Sequence, residues 1–354
     1  MQTEVKFSSK RFLLALLICS CSVILLQNNQ LSKNVSFTCN AVCIGAGLAV
    51  CFLFFLPSLV LKKKNDSDIP TLAQRMTPVQ RLPLAVFYTV YFVYTALYFL
   101  LPYTDMFHSK YFSEVTPCLV TFLMLLGCAY AARKGVNVIT RFGIFLFLFA
   151  LVTNVLMFGG SLSELDFRHY SFVLTGNGSD FLQNTIYFVT PSFIAVIFAC
   201  CSGLTHNFRF RQPICTLFFS GVKYAAVLFF IWFALGDYAN RQEYPAFVLS
   251  RVAHFGTFAG VESFYLALAT MSVFMIIALF LCCITRMTGR DESGKGICIF
   301  TGIIFVLYVT AVYIEPVREV LTSAVLLLIL TFFAAVAIPT VYLFIGRKSN
   351  APRA

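Results

Sequence analysis

The stretch Ser263–Ile284, SFYLALATMSVFMIIALFLCCI, runs for 22 residues without a charged side chain. At 1.5 Å per residue a helix of that length is about 33 Å long, enough to cross the ~30 Å hydrocarbon core of a bilayer. The apolar pattern is continuous and not alternating, which excludes a membrane β-barrel. Working outward, equivalent runs centre on Phe12–Leu26, Asn40–Leu61, Leu82–Leu101, Pro117–Ala132, Phe142–Phe158, Tyr187–Leu204 and Pro213–Gly236 before it, and on Ile297–Ile314 and Val320–Ile345 after it. The fold class read from this is all-α: one polytopic membrane domain over residues 1–354 with about ten transmembrane helices.

Composition agrees. The chain is 59% hydrophobic and 12% charged, whereas soluble domains run nearer ~45–50% apolar and about 25% charged. A formal net charge of +11 would suggest nucleic acid on a soluble domain, but here the basic residues fall in short clusters between apolar runs, so nucleic acid is set aside. With the N-terminus inside, 19 of the 26 Lys and Arg fall on the cytoplasmic side, among them Lys62, Lys63, Lys64, Arg133, Lys134, Arg209, Arg211 and Lys295. Cytoplasmic connections retain basic residues, so both termini are read as cytoplasmic. The first run also resembles a signal peptide, but no small-x-small cleavage site follows Leu26, and it is kept as a span.

Most of the 13 cysteines lie inside apolar runs with no CxxC pair and are read as small apolar fillers. Asn34-Val-Ser36 and Asn177-Gly-Ser179 match the short glycosylation sequon. Gly289-Arg-Asp-Glu-Ser-Gly294-Lys295-Gly296 approaches a phosphate-binding loop, but Gly296 stands where the magnesium-holding Ser or Thr belongs, and the strand and helix such a loop needs are missing. His108, His169, His206 and His254 are scattered over separate loops, so no metal site is expected. No nucleophile, base and orienting acid are arranged together; the expectation is neither an enzyme nor a cofactor binder.

Three features point to a site. Ser20-Cys21-Ser22 interrupts the first span with small polar residues, and Cys200-Cys201-Ser202-Gly203 does so late in the sixth; interrupted helices at matching positions offer backbone N–H and C=O groups to a ligand, although small residues also serve close packing. Tyr88, Tyr91, Tyr94 and Tyr98 fall within about 120° of one helix face. That face is either the wall of a polar pathway or an inter-helix hydrogen-bonding surface. Lys223 lies some ten residues into the seventh span, either as a pathway charge or snorkelling to the interface. An outer-loop helix starting at Pro245 would carry Val248, Val252 and Phe255 on one face.

Ser113-Glu-Val-Thr-Pro117, Tyr130-Ala-Ala-Arg-Lys-Gly135, Ile139-Thr-Arg141, Tyr244-Pro245, Glu262-Ser-Phe264 and Ile314-Glu-Pro316, in that order, resemble the B subunits of bacterial spore germinant receptors, the germination permease family. The resemblance implies a fold like that of the amino acid, polyamine and organocation transporters, an inverted-repeat bundle with broken first and sixth helices. It implies a small-molecule site bounded by the first, third, sixth and eighth spans, which places Ser20, Cys21, Ser22, Tyr91, Tyr94, Tyr98, Ala195 and Ile197 as candidate ligand-binding residues. It further implies a germinant-sensing subunit of the spore inner membrane, working with A-type and C-type receptor subunits; an ion- or proton-coupled amino acid transporter is the alternative. The chain departs from the family pattern where ligand would bind: the glycine-rich break of the first span falls at Ser20-Cys21-Ser22, a proline position holds Gln27, and Ala195-Val196-Ile197 replaces a Gly-x-Glu.

Overall fold

The computed structural model describes residues 7–26, 36–65, 68–74, 76–110, 114–169, 177–206, 208–255, 258–289 and 294–349. Gln27, the sequon residue Asn34, Ser113, positions 290–293 of the phosphate-loop-like stretch, and the basic residues Lys6, Lys33, Arg75 and Arg353 lie outside them.

Among the described residues nine helices are long and apolar enough to cross a membrane, and Pro117–Arg133 is a shorter apolar helix between two of them. In chain order the ten spans are Ser9–Leu26, Phe37–Asn65, Pro78–Lys110, Pro117–Arg133, Val136–Gly160, Gly178–Leu204, Arg211–Leu235, Glu262–Thr288, Gly294–Tyr313 and Ala324–Leu343. The protein is thus an all-α polytopic membrane protein. The third span outruns its apolar centre at both ends, its helix continuing past Pro83 and Pro102. The tenth starts at Ala324 and not at Val320; Glu315–Leu321 is a separate helix, and the Ser323 hydroxyl accepts from the Leu326 N–H as a fresh N-cap.

Burial separates the inner spans from the lipid-facing ones. In the sixth span 89% of the apolar window is buried, against 28% in the fifth and in the tenth. The eighth span packs against the first, third, fourth and fifth, and from Met275 to Met287 every one of its residues is buried. The first span packs between the fifth, seventh and eighth. In lipid the gain from apolar contact is small, so close approach and hydrogen bonds between helices decide which faces pair. The second and sixth spans show this: Asn184 Nδ2 donates to Asn40 Oδ1 at 2.7 Å in the buried seam, and Gly47 lies so near the sixth span that a Cβ there would stand 2.6 Å from the Phe188 Cβ.

Short extended segments finish the ends. Phe7–Ser8 pairs in parallel with Thr205–His206, joining the start of the first span to the exit of the sixth. His254–Phe255 pairs antiparallel with Phe258–Ala259. The helix begun by Pro245 runs Pro245–Val252, but the face it buries is Ala246, Phe247, Leu249 and Ser250. Phe255, expected on the same helical face, is instead in the following strand with its ring against Gly159 and Gly160.

Candidate functional site

The first span differs from the sequence expectation at its centre. Ser9–Leu26 is one continuous α-helix through Ser20, Cys21 and Ser22. The physical reason lies in the hydroxyls: Ser20 Oγ donates back to Leu17 O at 2.7 Å and Ser22 Oγ to Ile18 O at 3.1 Å, so each finds a partner inside the helix and neither pulls the backbone open. No Gly or Pro stands there to break the ladder.

What the helix offers instead is carbonyl oxygen: Ser20 O in its body keeps a second lone pair, and Val23 O and Leu25 O stand in its last turn, where α-helical carbonyls have no partner within the helix. Three tyrosines from three spans take them: Tyr224 of the seventh donates to Ser20 O, Tyr187 of the sixth to Val23 O at 3.4 Å, and Tyr265 of the eighth to Leu25 O at 2.6 Å. Ser20 Oγ also meets Ser220 Oγ at 2.6 Å. All three tyrosines are 1% exposed or less, so a phenol without a partner here would carry the full cost of burying a polar group. Cys21, between the two serines, is buried as well.

The sixth span is interrupted, but earlier than the run of small residues suggested. Gly178–Val189 gives way to a 3₁₀ turn at Thr190–Ser192, and the helix resumes over Phe193–Cys201. Pro191 causes it, having no N–H to give and a ring that crowds the preceding turn. The carbonyls loosened there are met by the second span, where Cys51 Sγ lies 3.5 Å from Val189 O. At Cys200-Cys201-Ser202-Gly203 the helix only tightens into a closing 3₁₀ turn, Ser202–Leu204. Ala195 and Ile197 lie in the resumed helix, wholly buried and apolar. Two buried hydroxyls in the interior, Ser192 at the interruption and Ser272 of the eighth span, have no hydrogen-bond partner among the described residues.

The third-span tyrosines divide. Tyr88 donates to Ala334 O at 2.7 Å, Tyr91 meets Thr331 Oγ1 at 3.1 Å, and Tyr94 donates to Val320 O and Ser323 O at 3.0 and 2.9 Å. These three fasten the third span to the tenth and to the connection before it. Tyr98, wholly buried, lies within electrostatic reach of both Tyr94 and Tyr187. Lys223 is half-buried beside Tyr224, with no carboxylate within ion-pair distance among the described residues. No group of three or more His, Cys, Asp or Glu able to hold a metal occurs among the described residues.

The structure therefore gathers Ser20 and, through Tyr187, Tyr98 into one polar cluster with Tyr187, Tyr224, Tyr265 and Ser220. Sequence reasoning missed these last four. Their only signal was a hydroxyl inside an apolar run, and nothing in a linear pattern says that residues 200 apart will meet, as Ser20 and Ser220 do.

Comparisons with known proteins bear on the family and the fold. A family model described as "Spore germination protein" matches residues 5–320. A search of curated proteins found no match. Among solved structures the chain is similar to a Na+-coupled sialic acid symporter in a substrate-bound outward-open state, with a TM-score of 0.56 and 11% identity over 97% of this chain and 75% of that one. At that identity the likeness speaks for a transporter-type fold alone.

Proposed function

Because the chain belongs to the spore germination protein family, a permease-like class of membrane protein, we propose that it is a nutrient-sensing subunit of a spore germination receptor. In this reading it sits in the spore inner membrane with both termini cytoplasmic and binds a small germinant such as an amino acid. A-type and C-type receptor subunits read out the change.

The observation that carries the reading is the serine–tyrosine cluster at the meeting of the first, sixth, seventh and eighth spans, deep inside an otherwise apolar bundle. Polar groups are expensive at that depth and are kept where they serve a ligand or a moving part. Ser192, at the interruption of the sixth span, and Ser272 of the eighth are two further buried hydroxyls without a hydrogen-bond partner among the described residues, which a ligand could take up. Ala195 and Ile197 would line the site as apolar walls and, with no carboxylate beside them, favour a ligand that brings no strong positive charge to that side. Occupancy then biases two arrangements of the bundle by its differential affinity for them.

The test is germination of spores lacking the gene against a panel of amino acids, nucleosides and sugars, followed by release of the core's stored solute. Selective loss of response to one nutrient class, restored by the intact gene, is the expected result. Normal germination on every nutrient would overturn the sensing role.

A further inference from the structure

Away from the tyrosine cluster, at the face that carries the basic connections, lies a second set of buried polar groups. Asp68, in the connection between the second and third spans, is 0% exposed in its side chain, and Arg286, near the end of the eighth span, 6%. Arg286 Nη1 stands 2.8 Å from Asp68 Oδ2, and the same oxygen accepts the Gly203 N–H at 3.1 Å from the closing turn of the sixth span. The other carboxylate oxygen accepts the Thr71 N–H at 3.1 Å and the Thr71 hydroxyl at 2.7 Å, as the cap of the short helix Ile69–Gln74. Arg286 Nη1 also donates to Cys200 O. Gly203 is needed for the fit, since a Cβ there would stand 2.6 Å from the carboxylate.

One carboxylate thus ties three elements that the chain separates widely, and both its oxygens are saturated. A buried ion pair adds little net stability over an apolar contact of the same shape, while losing one partner strands a charge. Such an arrangement is poor as glue and good as a two-state fastening: it is either fully made or fully solvated. The ends of the sixth and eighth spans cannot part without breaking it, and they are the same ends that bring Cys201 and Cys283 to 3.5 Å.

We propose that Asp68 and Arg286 form a latch holding these ends of the sixth and eighth spans together, and that its release is the step by which the bundle opens to this face. The inference goes beyond the sensing role and concerns how the bundle moves, whatever it binds.

The cysteines supply the measurement. Cys200, Cys201, Cys282 and Cys283 are buried beside the latch, and Cys51 and Cys128 are buried elsewhere. The full chain in nanodiscs is treated with N-ethylmaleimide and alkylation at each cysteine is followed by peptide mass spectrometry. A cysteine introduced at Lys64, exposed at the end of the second span, labels in every sample and fixes the reagent's access. In Asp68→Asn and in Arg286→Gln, alkylation of Cys201 and Cys283 rises by about a hundredfold over wild type while Cys51 and Cys128 stay protected. Unchanged protection of Cys201 and Cys283 in both variants overturns the latch. Where Cys51 and Cys128 label as well, the variant has unfolded, and the double variant D68N/R286Q, which buries no lone charge, decides. Labelling confined to the inner thiols upholds the latch. Full protection, or labelling throughout, overturns it in favour of a fixed strut. No germinant enters the assay, so its outcome and that of the spore test are independent.

Discussion

Tyr224 and Tyr91 are both phenols buried among apolar helices, yet the atoms they reach give them different work. Tyr224 donates to Ser20 O inside the interior cluster, whereas Tyr91 meets Thr331 on the tenth span. Removing either hydroxyl leaves an acceptor short of one partner, which costs about 1 kcal/mol in a membrane interior. Tyr224→Phe and Tyr91→Phe are therefore expected to lower the melting temperature of the purified protein by similar amounts. Only Tyr224→Phe should also shift the germinant dose response, by roughly fivefold if that energy is spent on one of the two bundle states. Equal dose responses in the two variants at normal abundance would dissolve the distinction between site and scaffold. A bulky residue at Ser22, which is 0% exposed and one turn from Ile18, should disturb the same response by overpacking the first span where it meets its neighbours.

At the scale of elements, a proline stands at the irregularity of the sixth span and at that of the tenth. In the tenth span the backbone widens into a π turn over Phe333–Ala337. The N–H that would reach Ala334 O across such a turn belongs to residue 339, which is proline, so that carbonyl is left open and Tyr88 fills it. Tyr88→Phe should cost about 1 kcal/mol in wild type and much less in a Pro339→Ala background, where the helix can supply its own donor. A double-variant cycle of melting in detergent measures the difference; strict additivity would refute this account of the bulge. The second and sixth spans give a parallel case: Gly47→Ala should destabilise by about 1–3 kcal/mol, since the added Cβ meets Phe188 at 2.6 Å. How much of this the sequence revealed follows from range. Span existence is a sum over about twenty neighbouring residues and was legible throughout. Pro191 and Pro339 were equally visible, but weighting small residues moved the expected interruptions to Ser20-Cys21-Ser22, where hydroxyl back-bonding leaves the helix intact, and to Cys200-Cys201-Ser202-Gly203, where the helix simply closes in a 3₁₀ turn. The site was least legible because its bonds join distant residues, Leu25 with Tyr265 and Ser20 with Ser220.

For the molecule as a whole, the deepest question is which face is which, because the latch and the tyrosine cluster take their meaning from it. Lys62, Lys63 and Lys64 close the second span, Arg133 closes the fourth, and Arg211 and Lys295 open the seventh and ninth, so these connections share one face of the bundle. The opposite face holds the ion pair between Asp105 and Arg318, which links the third span to the connection before the tenth. Basic connections stay on the cytoplasmic side during insertion, and short loops obey that bias most strictly. A cysteine placed at Asn65, next to the three lysines, should therefore react with an impermeant maleimide only after the membrane is opened. One at Ser179, in the first turn of the sixth span, should react in sealed protoplasts. The reverse pattern would turn the bundle over. It would set the Asp68–Arg286 latch on the side from which nutrients arrive, making it an entry gate, and would move the exit to the face now held by Asp105 and Arg318.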